Sequence, residues 1–137
     1  MPSISAIMQD NHRHCDELYA TVEEAVANGD WDGAERSWQA FSAEFHAHVD
    51  QREEGQLFPA LEAANGPAGP VAVMRSEHEQ MRALVNQLQQ SLTVRDREEF
   101  LGLGETLMLL TQQHNMKEEN ILYPIMDQLI GEQAGEL

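Results

Sequence analysis

A chain of 137 residues, 42% of them hydrophobic, has the mass for one domain around a single core. Its formal charge of −16, with eight Lys and Arg against 24 Asp and Glu, argues against a phosphate-binding surface, because nucleic-acid affinity rests on clustered cations. Cys15 is the one cysteine, which excludes an intramolecular disulfide and a disulfide-stapled secreted scaffold.

The N-terminal stretch from Met1 to Asp10 has no basic region followed by an apolar run, so it does not read as a signal peptide. No window approaches the ~20 apolar residues of a membrane span, and the cytoplasm is the expected compartment. Ser3 or Ser5 is placed to cap a first helix, over about residues 3–28. Along it Ile4, Ile7, Met8, Cys15, Leu18, Tyr19, Val22, Ala25 and Val26 recur at three- and four-residue intervals, with Cys15 as a small, half-buried member. Asn28-Gly29-Asp30 supplies a glycine stop and then a capping Asp for a second helix from Trp31. Trp31, Ala34, Trp38, Phe41, Phe45, Val49, Leu57 and Phe58 are its expected core positions.

The run Asn65-Gly66-Pro67-Ala68-Gly69-Pro70 predicts a break, followed by a third helix lined by Val71, Met74, His78, Met81, Leu84, Val85, Leu88 and Leu92. After a turn at Thr93-Val94-Arg95-Asp96, a fourth helix is predicted from about Arg97 to Gln128, with Gly102 and Gly104 expected to permit close helix approach. Pro59 and Pro124 each follow an aromatic inside helical text, which predicts a kink or restart with a short helical tail beyond. No β-pattern appears. The expected fold is all-α, an antiparallel up-down-up-down four-helix bundle forming one domain over residues 1–137.

The chain also repeats. An offset of 66 carries His12 onto His78, Leu18 onto Leu84 and His48 onto His114, so 36 residues separate the two histidines in each half. Glu53 and Glu118, and Pro59 and Pro124, pair at offset 65, so one extra residue lies between His48 and Glu53. The halves run over about 1–65 and 70–130. His14 and His46 fall off the repeat.

These matched residues carry the chemistry. Residues four apart on a helix are neighbours, about 5–6 Å apart, so His114 and Glu118 present an imidazole and a carboxylate to one point. Between His48 and Glu53 the spacing is five, a rotation of about 100° on a regular helix, which a π-bulge would absorb. His46 is the alternative to His48, although it breaks the 36-residue spacing. His14, two positions from His12, is expected on the surface or behind the site. Glu54 and Glu119 are expected to face solvent or polarise the site from outside. Burying four histidines and two glutamates without a metal would leave costly unpaired groups. Imidazole with carboxylate suits iron, manganese or zinc, with iron first, and two carboxylates favour a dinuclear centre. No nucleophile–base pair or phosphate loop is present.

Together, His12 in Asp-Asn-His-Arg, His48 to Pro59, His78 in Ser-Glu-His-Glu and His114 to Pro124 resemble the hemerythrin-like, or HHE cation-binding, family. The resemblance implies a four-helix bundle around two iron ions, oxo- or hydroxo-bridged. His12, His48, His78 and His114 would be terminal ligands, and Glu53 and Glu118 bridges. One departure stands out: oxygen-carrying members bring two histidines spaced by four from the third helix, whereas here the position four after His78 is Arg82. A guanidinium does not ligate as a cation. This implies an open position for water, hydroxide, O2, peroxide or NO, or for a further carboxylate such as Glu77 or Glu79. The expected function is binding or sensing of O2, NO or peroxide. Turnover of peroxide or another oxidant, and storage or donation of iron for repair of other proteins, are the alternatives. No nucleic-acid or membrane partner is expected.

Overall fold

The computed structural model describes residues 2–137; Met1, the first residue of the expected domain, lies outside the described residues. Among the described residues every regular element is helical and no strand occurs. Ser3 caps α1 (Ile4–Ala27), accepting from the Ala6 N–H at 3.0 Å. Ser5 instead donates to Asp127 Oδ2 at 2.5 Å, while Asp127 Oδ1 accepts from the Ile4 N–H at 2.8 Å, so a residue near the far end of the chain also satisfies the start of α1. Gly29, at φ 72°, ends the first turn, and Asp30 caps α2 (Trp31–His46) by accepting from the Gly33 N–H at 3.0 Å.

α2 continues without a loop through a π-helical stretch, Ala47–Leu57, into α3 (Phe58–Ala63). The break that follows is shorter than the Gly- and Pro-rich run predicts. It centres on left-handed Asn65, φ 58°, and α4 (Ala68–Thr93) begins ahead of Val71 with Gly69 and Pro70 in its first turn. The reason is that first-turn N–H groups have no intrahelical partner, so a proline there forfeits nothing. Asp96 caps α5 (Arg97–Lys117), accepting from the Glu99 N–H at 3.1 Å. A π turn, Glu118–Leu122, then leads into α6 (Tyr123–Ile130) and a 3-10 turn, Gly131–Glu136.

α1 packs along α2, and α4 along α5, while α1 also meets α5 and α6, giving a helical bundle. Its apolar residues form two clusters. One holds Tyr19, Val22, Trp38, Phe41, Phe45, Met81, Val85 and Phe100; the other holds Ile4, Met8, Leu57, Phe58, Val71, Met74, Tyr123 and Met126. Burying each large side chain of this kind contributes roughly 1.5–3 kcal/mol. His12, His78 and His114 each fall where one cluster gives way to the other along the chain, and His48 lies between Phe45 of the first and Leu57 of the second. The polar residues therefore sit in a layer with apolar packing above and below.

Of the two glycines expected to allow close approach, only Gly104 does so: a Cβ there would land on the Tyr19 hydroxyl. Nothing lies within 4 Å of the corresponding point on Gly102.

Candidate metal centre

Local helix geometry sets the site. An α-helix has 3.6 residues per turn, so His48 and Glu53 would otherwise point to different sides. The π-helical stretch, closed at its end by the Phe58 N–H donating to the Glu53 carbonyl, makes a five-residue spacing one turn. The bulge predicted between His48 and Glu53 thus exists and extends over 11 residues. Gly55 leaves room for it, since a Cβ there would lie 2.9 Å from the Asp50 carbonyl oxygen. A second π turn follows Lys117, with the Tyr123 N–H donating to the Glu118 carbonyl, and stacks Tyr123 over Glu118. Pro59 and Pro124 sit in the first turns of α3 and α6, where the helix restarts.

His12, His48, Glu53, His78, His114 and Glu118 are all buried, and all six converge. The Nε2 atoms of His12 and His48 are 3.2 Å apart, as are those of His78 and His114. Glu118 Oε1 stands 3.2 Å from Nε2 of both His12 and His114. Glu53 Oε1 stands 3.0 Å from His78 Nε2 and 3.5 Å from His48 Nε2. Two overlapping donor groups result: Glu53, His78, His114 and Glu118 form one, and His12, His48 and Glu118 the other.

The outer ring nitrogens fix the tautomers. Nδ1 of His12 donates to Glu119 Oε2 at 2.6 Å, Nδ1 of His78 to Glu54 Oε2 at 2.6 Å, and Nδ1 of His114 to Glu77 Oε1 at 2.8 Å. Nδ1 of His48 faces Asn11 Oδ1 at 3.3 Å, and Arg52 donates to the same oxygen at 2.7 Å. Each neutral ring therefore turns an Nε2 lone pair inward, the arrangement that outer carboxylates give metal-ligating histidines. Glu53 Oε1 and Glu118 Oε2 are buried with no hydrogen-bond partner. Lone pairs converging at about 3 Å with nothing positive between them repel. The donor set fits metal ions, which would satisfy these atoms together.

In the metal-free protein, protons serve that purpose. Burial pulls the His114 imidazole down, but the charge and hydrogen bond of Glu118 outweigh it and push the ring up to about 9. His12 and His78 are raised in the same way, with burial opposed by Glu118 for His12 and by Glu53 for His78. His48 goes the other way: burial brings it down to about 3 despite Glu53. Burial would raise Glu118, but its hydrogen bond with Glu53 and the charge of His114 hold it well below the usual carboxylate range.

The other sequence candidates lie outside this layer. His46 is half-buried and pairs with Asp50 through Nδ1 at 2.9 Å, and His14 is exposed. Glu54 and Glu119 polarise His78 and His12 from outside. Glu77 turns to His114 and Lys117, and Glu79 is exposed, so neither aims into the cluster. Arg82 donates to Asp50 Oδ1 at 2.9 and 2.6 Å and lies 2.8 Å from Glu54, anchoring the acid that polarises His78.

Two participants escaped the sequence reading. Tyr123 brings its hydroxyl within 2.6 Å of Glu53 Oε2, 2.9 Å of Glu118 Oε1 and 3.1 Å of His12 Nε2. Burial and the two flanking carboxylates push that hydroxyl well above its ordinary pKa. Asn11 orients His48. Its signal in the sequence is its repeat relation to Glu77, since each precedes a ligand-type histidine.

A cavity of about 20 Å³ adjoins the cluster, with His12, His48 and His114 on one side and Cys15, Phe41, Phe45, Val49, Met81 and Leu107 among its other walls. It is large enough for about one water-sized molecule. Burial pushes the Cys15 thiol up to about 12, so it does not contribute a thiolate near neutrality.

The family model described as Hemerythrin HHE cation binding domain matches residues 3–126. No curated protein and no solved structure matches the chain. That match and the buried His and Glu cluster together mark a metal-binding protein. Among the described residues no helix is long and apolar enough to cross a membrane.

Proposed function

We propose, because the chain belongs to the hemerythrin HHE cation-binding domain family, that its buried cluster holds two iron ions and binds or senses O2, NO or peroxide. In this reading His12 and His48 would hold one ion and His78 and His114 the other, with Glu53 and Glu118 as the carboxylate donors. The observation that carries it is the inward turn of four Nε2 atoms onto two buried carboxylates, three of the four rings being held from behind by an acid. Iron, when bound, would supply a redox-active centre with affinity for small oxygen- or nitrogen-containing ligands.

The protein's own residues do the rest. The adjoining cavity, walled largely by apolar side chains, leaves room for one small molecule beside His12, His48 and His114. Arg82, in place of a second histidine on α4, leaves the His78 and His114 side one donor short and supports an open position there. A cavity with room for one small molecule favours a small ligand over an organic substrate. The short turns between successive long helices support an up-down-up-down, antiparallel arrangement, and the two repeated halves building one layer support a single domain. The net charge of −16 supports no nucleic-acid partner, and a chain whose one cysteine is unpaired suits a cytoplasmic setting.

Elemental analysis after aerobic iron loading tests the reading, with two irons per chain expected. A plateau at one metal, or zinc held in preference to iron, would overturn it. Spectral titration with NO and O2, beside a peroxide-turnover assay, then separates binding from detoxification.

A further inference from the structure

We propose that the hydroxyl oxygen of Tyr123 is itself a metal ligand, joining His12, His48 and Glu118 on one of the two ions. This rests on the metal-binding reading above and adds a donor to it.

The first argument is a count of protons. The Tyr123 oxygen has three acceptor atoms around it: Glu53 Oε2 at 2.6 Å, Glu118 Oε1 at 2.9 Å and His12 Nε2 at 3.1 Å. With the His12 ring neutral, as metal binding requires, its Nε2 is an acceptor because the ring donates through Nδ1 to Glu119. A phenol has one proton. Given to Glu53, the nearest acceptor, it leaves the contacts with Glu118 and His12 as lone pair against lone pair. A cation placed among the three atoms turns both repulsions into attraction.

The second argument is spacing. Donors about 2.1 Å from one ion and at right angles to each other lie about 3 Å apart. The contacts Tyr123 to His12, Tyr123 to Glu118, His12 to His48 and His12 to Glu118 are 3.1, 2.9, 3.2 and 3.2 Å. The phenol oxygen therefore stands at the same separation from its neighbours as the other donors do.

The third argument comes from the repeat. Phe58 corresponds to Tyr123 at the 65-residue offset, and its ring stacks on His78 with centroids 5.7 Å apart and planes 9° apart. Packing at this place is met by an aromatic without a hydroxyl. The polar atom on Tyr123 answers a need present in one half only. The two metal positions thus become unlike, with the phenol on the His12 and His48 side.

On ligation the O–H bond breaks, an oxygen–metal bond forms, and the proton is released to solvent; no electron moves. The test uses the full chain loaded with ferric iron as wild type, Tyr123→Phe and Tyr19→Phe, followed by elemental analysis, visible absorption and resonance Raman. Tyr19 is the one other tyrosine, and it lies in the apolar cluster beyond the site. Wild type and Tyr19→Phe should both show a phenolate-to-iron band with phenolate ring modes, and Tyr123→Phe should lose it while keeping its iron. If Tyr123→Phe does not fold, the band in Tyr19→Phe alone assigns the ligand. Wild type holding two irons without the band, or a band surviving in Tyr123→Phe, would overturn the proposal. One iron with the band would sink the dinuclear reading and leave the ligation standing; no iron would sink both.

Discussion

Nδ1 of His78 donates to Glu54 Oε2 at 2.6 Å, and the same carboxylate oxygen lies 2.8 Å from Arg82, so an ion pair behind the ring aims its Nε2 at the cluster. Removing such an outer partner lowers metal affinity by about 10- to 100-fold. Glu54→Gln should weaken binding by that factor, and Glu119→Gln should do the same through His12. Both acids are only partly buried, so the fold should persist. Competition with a coloured chelator measures the loss; affinities equal to wild type would show that the outer acids do not orient the ligands.

His46 and His48 are two residues apart, yet only His48 is turned inward, while His46 sits against Asp50 near the surface. His48→Ala should therefore lose at least one metal per chain and His46→Ala should keep the full complement. Elemental analysis decides, and the reverse result would overturn the offset of 66 as a guide to the site. Neither change should unfold the bundle, because the apolar clusters supply most of its stability.

Gly104 and Gly102 should respond to alanine with opposite signs. At Gly102 the new methyl meets open space and removes the helix-propensity deficit of glycine, so a gain of roughly 0.5–1 kcal/mol is expected. At Gly104 it would collide with the Tyr19 hydroxyl, whose ring is held between Phe41 and Phe100 and has little freedom to retreat. Overpacking of this kind costs about 1–3 kcal/mol. Denaturant melts of the two variants test the contrast, and destabilisation by both would point to propensity being outweighed at each position.

The elements most readable from sequence are those governed by regular helix geometry. His114 and Glu118 are four apart, the apolar stripes keep one face, and Ser3, Asp30 and Asp96 announce their helices as caps. Glu53 was within reach through the repeat, since its misfit of one residue demanded a wider turn. Tyr123 was not. An aromatic before proline reads as packing, and its hydroxyl reaches the cluster through a π turn at Glu118–Leu122 that nothing in the well-spaced His114 and Glu118 pair requires. Glu77 adjoins His78 in sequence, which put it forward as a ligand; on α4 it points instead to His114 of α5, a pairing fixed by how the two helices pack. The early start of α4 shows a tertiary choice as well, because Gly69-Pro70 suits a first helical turn as readily as a loop.

The last prediction concerns pH, where the metal-free and loaded proteins should diverge. His114 rises to about 9 in the folded metal-free chain, against about 6.5 for a free imidazole. A raised pKa gives stability that is fully present below about 6.5 and lost as pH climbs through about 9, a term of roughly 3 kcal/mol at most. His12 and His78 shift in the same direction. His48, held down to about 3, acts oppositely: it stays neutral when folded, so stability falls as pH drops from about 6.5 toward 3. The metal-free protein should thus be most stable near neutral to mildly acidic pH. Metal binding requires neutral rings and expels the protons they hold, so affinity should rise across the alkaline window in which the metal-free fold weakens. Ligand binding adds stability in proportion to the logarithm of its excess over Kd. The gap in Tm between loaded and metal-free protein should therefore widen from about pH 6.5 to about pH 9. On acid titration, visible absorbance should fade before far-UV circular dichroism changes. Parallel Tm curves across that window, or helicity collapsing while the absorbance persists, would mean that the metal does not sit on these imidazoles.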